Sequence, residues 1–289
     1  MPKYKSAELV QTEECVQYHI GVGPDDVVDY IMLVGDPGRA DRAAKLLDEV
    51  TLRKENREFR TVTGKYKGVD VSIMSTGIGQ DNIEIVFIEL MNIMRCKRER
   101  GESPSPVLIR VGTTGGLQEY TEIGDLVIST GAVRLENTTL FFVPEGFPAI
   151  ANYEVVMALI EAAERLGYRY HVGVTASASG FYGAQGRKIE GFPLRYPDLP
   201  KVLKELNVMN FEMESSALFT FATMRRVRAG MVCVVLANRP KNTFIKPEEK
   251  YEAERRALLT GLEAFTIIKK MDEIKRQKNK EHWMPSLSV

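Results

Sequence analysis

Residues 107–116 read Val-Leu-Ile-Arg-Val-Gly-Thr-Thr-Gly-Gly, an apolar strand that runs straight into glycine and threonine with Arg110 inside its apolar part. A guanidinium buried without a partner costs several kcal/mol. Arg110 therefore needs an acid or an anionic ligand near the end of the strand. Gly112, Gly115 and Gly116 let the backbone approach something closely, and the hydroxyls of Thr113 and Thr114 can donate to oxygens. Two readings follow. Either a cationic, hydroxyl-lined pocket sits at the strand's carboxyl end, or Arg110 pairs internally with a core Glu beside a tight turn. The stretch alone does not separate them.

Working towards the N-terminus, residues 30–34 form an apolar strand that enters Gly35-Asp36-Pro37-Gly38-Arg39 and then a helix from about Ala40 to Leu47. A strand, a glycine turn and a helix N-terminus form an anion site, because unpaired amides and the helix dipole face one point. Arg39 adds a full charge there. The loop is neither a Walker P-loop nor a G-x-G-x-x-G dinucleotide loop. A simpler reading, Asp36 capping a helix that begins at Pro37, leaves both glycines and Arg39 without a reason. Residues 61–68 read as a hairpin after Arg57-Glu58-Phe59-Arg60. A strand over 69–74 enters Ser75-Thr76-Gly77-Ile78-Gly79, and a helix starts near Asp81, with Asp81 and Glu84 spaced as a capping box. That helix is apolar on most sides through Met94, which predicts a buried or interface helix. Arg95–Arg100 form its solvated end.

Towards the C-terminus, a strand begins at Gly124. Asn152 caps a helix to Leu166 that Gly167 stops, and a strand over 171–175 precedes the loop Phe181-Tyr-Gly-Ala-Gln-Gly-Arg187. Gln185 offers an amide donor and acceptor and Arg187 a fork of donors, a combination suited to a flat heterocycle with adjacent carbonyl and N–H groups. Glu212 and Glu214 stand at the mouth of an apolar helix that runs to about Arg225, where first-turn acids are also favoured by the dipole alone. The last core strand, 229–237, ends in Asn238-Arg239, and a long helix follows from about Pro247. Residues 1–20, with Tyr18-His19, read as a polar arm outside the core.

Lys plus Arg equals Asp plus Glu at 39 each in 289 residues, so no global field collects nucleic acid or an anionic membrane. No apolar run approaches the ~18 residues of a membrane span. Cys15, Cys96 and Cys233 lie far apart without a C-x-x-C, the pattern of reduced structural thiols in a cytoplasmic protein. His19, His171 and His282 are too scattered to suggest a metal cluster. Six strand candidates alternating with helices predict an α/β sandwich in one domain over 1–289, with an arm at 1–20 and a C-terminal helix within 247–280. Ligands of such sheets bind at strand carboxyl ends. There the chain places Gly35/Arg39, Arg110/Thr113, Gln185/Arg187, Glu212/Glu214 and Arg239. Two anion devices, a heterocycle reader and a carboxylate pair able to hold a diol together suggest a nucleoside cleaved by phosphate.

Gly35-Asp-Pro-Gly-Arg39, Ser75-Thr-Gly-Ile-Gly79, Arg110-Val-Gly-Thr-Thr-Gly115, Phe181-Tyr-x-x-Gln-x-Arg187 and Asn210-Phe-Glu-Met-Glu214 resemble, in the same order, the motifs of the nucleoside phosphorylase family, in its uridine-cleaving branch. The resemblance implies a three-layer α/β/α sandwich around a mixed central β-sheet. It implies phosphate binding by Gly35, Arg39, Arg110 and Thr113, with Arg57 arriving from a neighbouring subunit. The ribose falls to Met213, Glu214 and a neighbour's His19, and the base to Phe181, Gln185, Arg187 and Arg239. Arg110, Gln185 and Arg187 carry catalysis. Inorganic phosphate is then a co-substrate and no cofactor is needed, and the homo-oligomer has a dimer as its minimal unit and a hexamer as its full assembly. The family's monovalent-cation site maps to Glu58, Ile78 and Asn82, but the family has Ser where this chain has Asn82. Purine members place an Asp after the last core strand, where this chain has Asn238-Arg239. Uridine is thus the expected substrate, with deoxyuridine or thymidine as variants. A purine phosphorylase and a non-catalytic nucleoside binder are the rival readings.

Overall fold

The computed structural model describes residues 4–288. In chain order its elements are β1 (Tyr30–Val34), α1 (Pro37–Ala44), β2 (Glu49–Asn56), β3 (Phe59–Tyr66), β4 (Val69–Ser75), α2 (Gln80–Glu99), β5 (Val107–Gly116), β6 (Leu126–Leu135), β7 (Ala149–Ile150) and α3 (Tyr153–Leu166). They continue with β8 (Tyr170–Ala178), α4 (Leu199–Glu205), β9 (Asn210–Glu212), α5 (Ser215–Arg225), β10 (Arg228–Asn238), β11 (Thr243–Phe244) and α6 (Pro247–Gln277). All eleven strands belong to one mixed sheet. β1 lies between β4 and β5, parallel to both. β5 is also parallel to β10. From β10 the sheet passes through antiparallel β6 to β8 and β9, and β9 pairs back onto β5. Five strands thus close a ring, and β4, β3 and β2 extend it as an antiparallel flap. α6 packs on α1 and α3, while α2 packs on α5, and these groups cover the sheet as the outer layers of an α/β/α sandwich.

The central strands are buried on both faces, which is why 107–109 and 231–235 read as unbroken apolar runs. Gly261 of α6 lets that helix lie directly on the sheet, since a Cβ there would come within 2.7 Å of Val111 Cγ2 and 2.9 Å of Met32 Cε. Because β1, β4, β5 and β10 run in the same direction and in register, the loops after Val34, Ser75 and Asn238 and the end of β5 gather at one edge.

β5 continues through the Gly/Thr run to Gly116, paired with β10 on one side and β9 on the other. Three expectations change. α1 starts at Pro37 rather than Ala40, with the Asp36 side chain accepting from Arg39 N at 2.8 Å, so Arg39 lies in the first turn. The Asp81/Glu84 capping box does not form. α2 begins after Gly79, whose φ of 97° no L side chain adopts readily. Asp81 instead accepts from the Thr138 hydroxyl. Last, the N-terminal arm is packed in place. Gln11, Gln17 and Ile20 are buried, and Cys15 is joined to Cys96 on α2 by a disulfide with a Cα–Cα distance of 6.5 Å. Reduced thiols are therefore the wrong reading for this pair. The two cysteines stand 81 positions apart in the chain, and nothing local signals that the arm lies back on α2. Cys233 is free and buried.

Candidate active site

At the edge where the parallel strands end lies a cleft of about 320 Å³. One end of it is cationic. Gly35 leaves a gap that two guanidiniums face: a Cβ there would sit 3.5 Å from Arg39 Nη1 and 3.7 Å from Arg110 Nη2. Arg110 is held from behind, its Nη2 donating to Glu214 Oε2 at 2.8 Å and its Nη1 to Thr76 Oγ1 at 3.1 Å. The acid that the sequence demanded for this buried cation is thus Glu214. Arg110 and Glu214 are both almost fully buried, and desolvation makes a charge pair there far costlier to break than one at the surface. Thr113 lines the same cleft, whereas Thr114 is spent on the chain, donating to the Phe211 carbonyl and accepting from Asn210 Nδ2.

The two glutamates have different fates. Glu212 Oε2 accepts from the backbone N–H groups of Glu214 and Ser215 at 2.8 and 2.9 Å, and its other oxygen accepts from the Ser215 hydroxyl. Burial, with Glu214 beside it, pushes the Glu212 carboxyl above the usual carboxylate range. Glu212 therefore fixes the turn from β9 into α5 and is not a free diol ligand, contrary to the expectation for the pair. Glu214 accepts from Gly79 N at 2.8 Å besides Arg110, and its carboxylate keeps further lone pairs at the middle of the cleft beside Met213.

The opposite end carries the heterocycle-reading loop. Arg187 Nη1 donates to Gln185 Oε1 at 2.6 Å and to the Phe181 carbonyl, and its guanidinium lies 3.8 Å above the Phe181 ring. Arg239 supports this loop by donating to the Gln185 carbonyl at 2.6 Å. Burial first, and then the neighbouring Arg239 charge, push Arg187 down to about 10, so it remains a cation at neutral pH. A group depressed this way gains by meeting an anion. Leu236, Ala237, Phe244 and Cys233 wall the cleft beside it.

The structure thus brings Gly35, Arg39, Arg110, Thr113, Phe181, Gln185, Arg187, Met213 and Glu214 to one cleft, with Arg239 directly behind. It does not bring His19 or Arg57 there. These two meet elsewhere: Arg57 Nη2 donates to the Tyr18 hydroxyl at 3.1 Å, and the Tyr18 ring packs edge-on against His19. His19 Nδ1 lies 2.6 Å from Glu89 Oε1 on α2, and the same carboxylate accepts from the backbone N–H groups of His19 and Ile20. Glu58 and Asn82 also lie together, the Asn82 amide 3.4 Å from Glu58 Oε1 with its N–H group towards the carboxylate. An amide donor already facing that carboxylate does not suit a monovalent-cation site, and Ile78 beside them is exposed. Sequence reasoning gave Thr76 no role although it lies in the quoted Ser75–Gly79 motif, and it missed Cys233 and Phe244, which carry no local signature, and Glu254 of α6, which looks like any other charge on a long polar helix face.

A strand-end cleft with two facing arginines and a buried carboxylate at its centre can hold an anion beside a polyhydroxyl group. The chain belongs to the phosphorylase superfamily, whose family model matches residues 29–265. It is similar to the uridine phosphorylase of Thermococcus kodakarensis, with 45% identity over 287 residues that cover 99% of this chain and 98% of that one. It is also similar to the uridine phosphorylase of Haemophilus influenzae, at 39% identity over 75% of this chain and 85% of that one. The guanosine phosphorylase of Halorubrum lacusprofundi is 32% identical over 87% of this chain and 99% of its own length.

Proposed function

We propose that the protein cleaves uridine with inorganic phosphate, giving uracil and ribose 1-phosphate. The observation that carries this reading is the single cleft with facing Arg39 and Arg110 at one end, Glu214 in the middle and Gln185/Arg187 at the other. Gly35, Arg39, Arg110 and Thr113 hold phosphate below the anomeric carbon. Glu214 and the Met213 backbone hold the ribose hydroxyls, and Phe181, Gln185, Arg187 and Arg239 form the base site. The glycosidic C–N bond breaks with its electron pair leaving on the base, and a phosphate oxygen bonds to the oxocarbenium-like anomeric carbon. No protein nucleophile takes part. Proximity and fixed charge lower the barrier, and Arg187 with Gln185 meets the negative charge that develops on the departing uracil. No cofactor is needed beyond the two substrates.

His19 and Arg57, lying together on the arm side and away from the cleft of their own chain, fit a role in a neighbouring subunit's site. The active unit is then a homodimer, and the exposed Ile78 and Ile88 on the α2 side suit a face buried in an oligomer, up to a hexamer. Among the described residues no helix is long and apolar enough to cross a membrane. We place the enzyme in the cytoplasm, in pyrimidine salvage. Buried intracellular disulfides of the Cys15–Cys96 kind occur in hyperthermophiles and do not oppose this.

The test is to mix the protein with uridine, deoxyuridine, thymidine, inosine and guanosine, with and without phosphate. Phosphate-dependent release of uracil, faster than release of hypoxanthine or guanine, is the expected result. Preferential purine release would favour the rival phosphorylase reading, phosphate-independent release a hydrolase, and binding without turnover a non-catalytic nucleoside binder.

A further inference from the structure

The phosphate end of the cleft has a second carboxylate behind it, and it comes from the far end of the sequence. Glu254, in the second turn of α6, is buried to 3% exposure, and its Oε1 accepts from Arg39 Nη2 at 3.0 Å. Its Oε2 accepts from Arg42 Nη2 at 2.7 Å, and Asp36 Oδ2 lies 3.6 Å from Arg39 and 3.7 Å from Arg42. The Nε of Arg39 is buried without a partner, and its Nη1 faces the Gly35 gap. Arg39 therefore has one edge of its fork fixed by Glu254 and the other directed at the place where Arg110 also points.

The arrangement mirrors that of Arg110, whose Nη2 is held by Glu214 and whose Nε is likewise buried and unpartnered. Two guanidiniums this close repel each other unless acids stand behind them. A long, flexible Arg side chain also has many rotamers, and holding it in one aims its remaining donors before ligand arrives.

We propose that Glu254 is the positioning residue of the phosphate site. In this role α6 sets Arg39 against Arg110, so the C-terminal helix contributes to catalysis by placing a phosphate-binding side chain rather than by touching substrate. The inference rests on the phosphorylase reading and deepens it.

The experiment compares the full-length wild type with Glu254→Asp and Glu254→Gln, varying phosphate and uridine separately. Asp keeps the charge and withdraws it by one methylene from Arg39. It should raise the KM for phosphate roughly tenfold while the KM for uridine stays within about twofold, because a misplaced binding group loses its effective concentration. Gln keeps one acceptor but removes the charge and turns an amide donor towards Arg42, so its phosphate KM should rise at least as far as that of Asp. Thermal shift with inorganic phosphate alone should follow the same order, wild type above both variants. An unchanged phosphate KM in Glu254→Asp, or equal changes in both KM values, would overturn the assignment of Glu254. Phosphate-independent uracil release by the wild type would instead overturn the parent reading.

Discussion

Replacing Arg187 by Ala removes a cation at the base end of the cleft that no ion pair neutralises. Its contacts are a side-chain oxygen of Gln185, the Phe181 carbonyl and the Phe181 ring, and its charge is already unsettled by burial and by Arg239. A preorganised donor aimed at charge developing in the transition state is worth about 3 kcal/mol, or ~100-fold in rate. The Arg187→Ala enzyme should therefore turn over uridine about 100-fold more slowly while its KM for phosphate barely moves. Arg187→Lys should fall between, since a point charge cannot reproduce the fork. The decisive assay repeats the comparison with 5-nitrouridine, whose base leaves as a more stable anion. If Arg187 works by meeting leaving-group charge, the penalty of the Ala variant must shrink on that substrate. A loss below about fivefold on uridine, where one lost donor should cost ~100-fold, or a penalty equal on both nucleosides, would refute the reasoning.

Three further outcomes follow from other contacts. The Cys15–Cys96 bridge closes a span of 81 residues, so Cys15→Ser should lower stability by up to ~4 kcal/mol on the loop-entropy account, read as the difference in urea unfolding with and without reductant. Glu89→Gln loosens the arm at His19 and Ile20 and should raise the KM for nucleoside with little effect on phosphate; equal effects on both would speak against a ribose role for His19. Glu154 and Asp272 sit below their usual carboxylate range because the charges and hydrogen bonds of Lys275 and Arg228 outweigh burial. A depressed folded-state pKa contributes stability above the ordinary carboxylate pKa and loses it as pH falls through the folded one, so thermal stability should drop on acidification below about pH 4. Arg228→Met should weaken that acid dependence, which a series of melting curves would detect.

Much of the architecture was legible because burial on both faces leaves a local signature. The runs at 30–34, 107–109 and 229–237 are apolar without alternation, and Asn152 and Gly167 bracket α3 as the capping rules require. The short strands were not legible. β9 has three residues and gains its hydrogen bonds from β5 and β8, distant in sequence, so no periodicity could announce it. The extent of β5 through its Gly/Thr tail was not legible for the same reason: glycine is a poor strand former locally, and pairing on both sides keeps it extended. At the site, Arg110 identified itself as a buried cation in need of an acid, but Glu212 and Glu214 looked equivalent in the chain.

By itself the sequence singled out residues that the fold gathers at one cleft: an apolar strand with one arginine, two glycine-rich turns with cations, and a loop with an amide and a guanidinium. Only the tertiary structure decided who holds whom. It assigned Glu214 to Arg110, Glu254 to Arg39, Glu89 to His19 and Cys15 to Cys96. The physical reason is range. Propensity and patterning act over a few residues and are written locally, whereas a buried charge is partnered by whatever the packed sheet brings within 3 Å, and that depends on strand order and register across the whole chain.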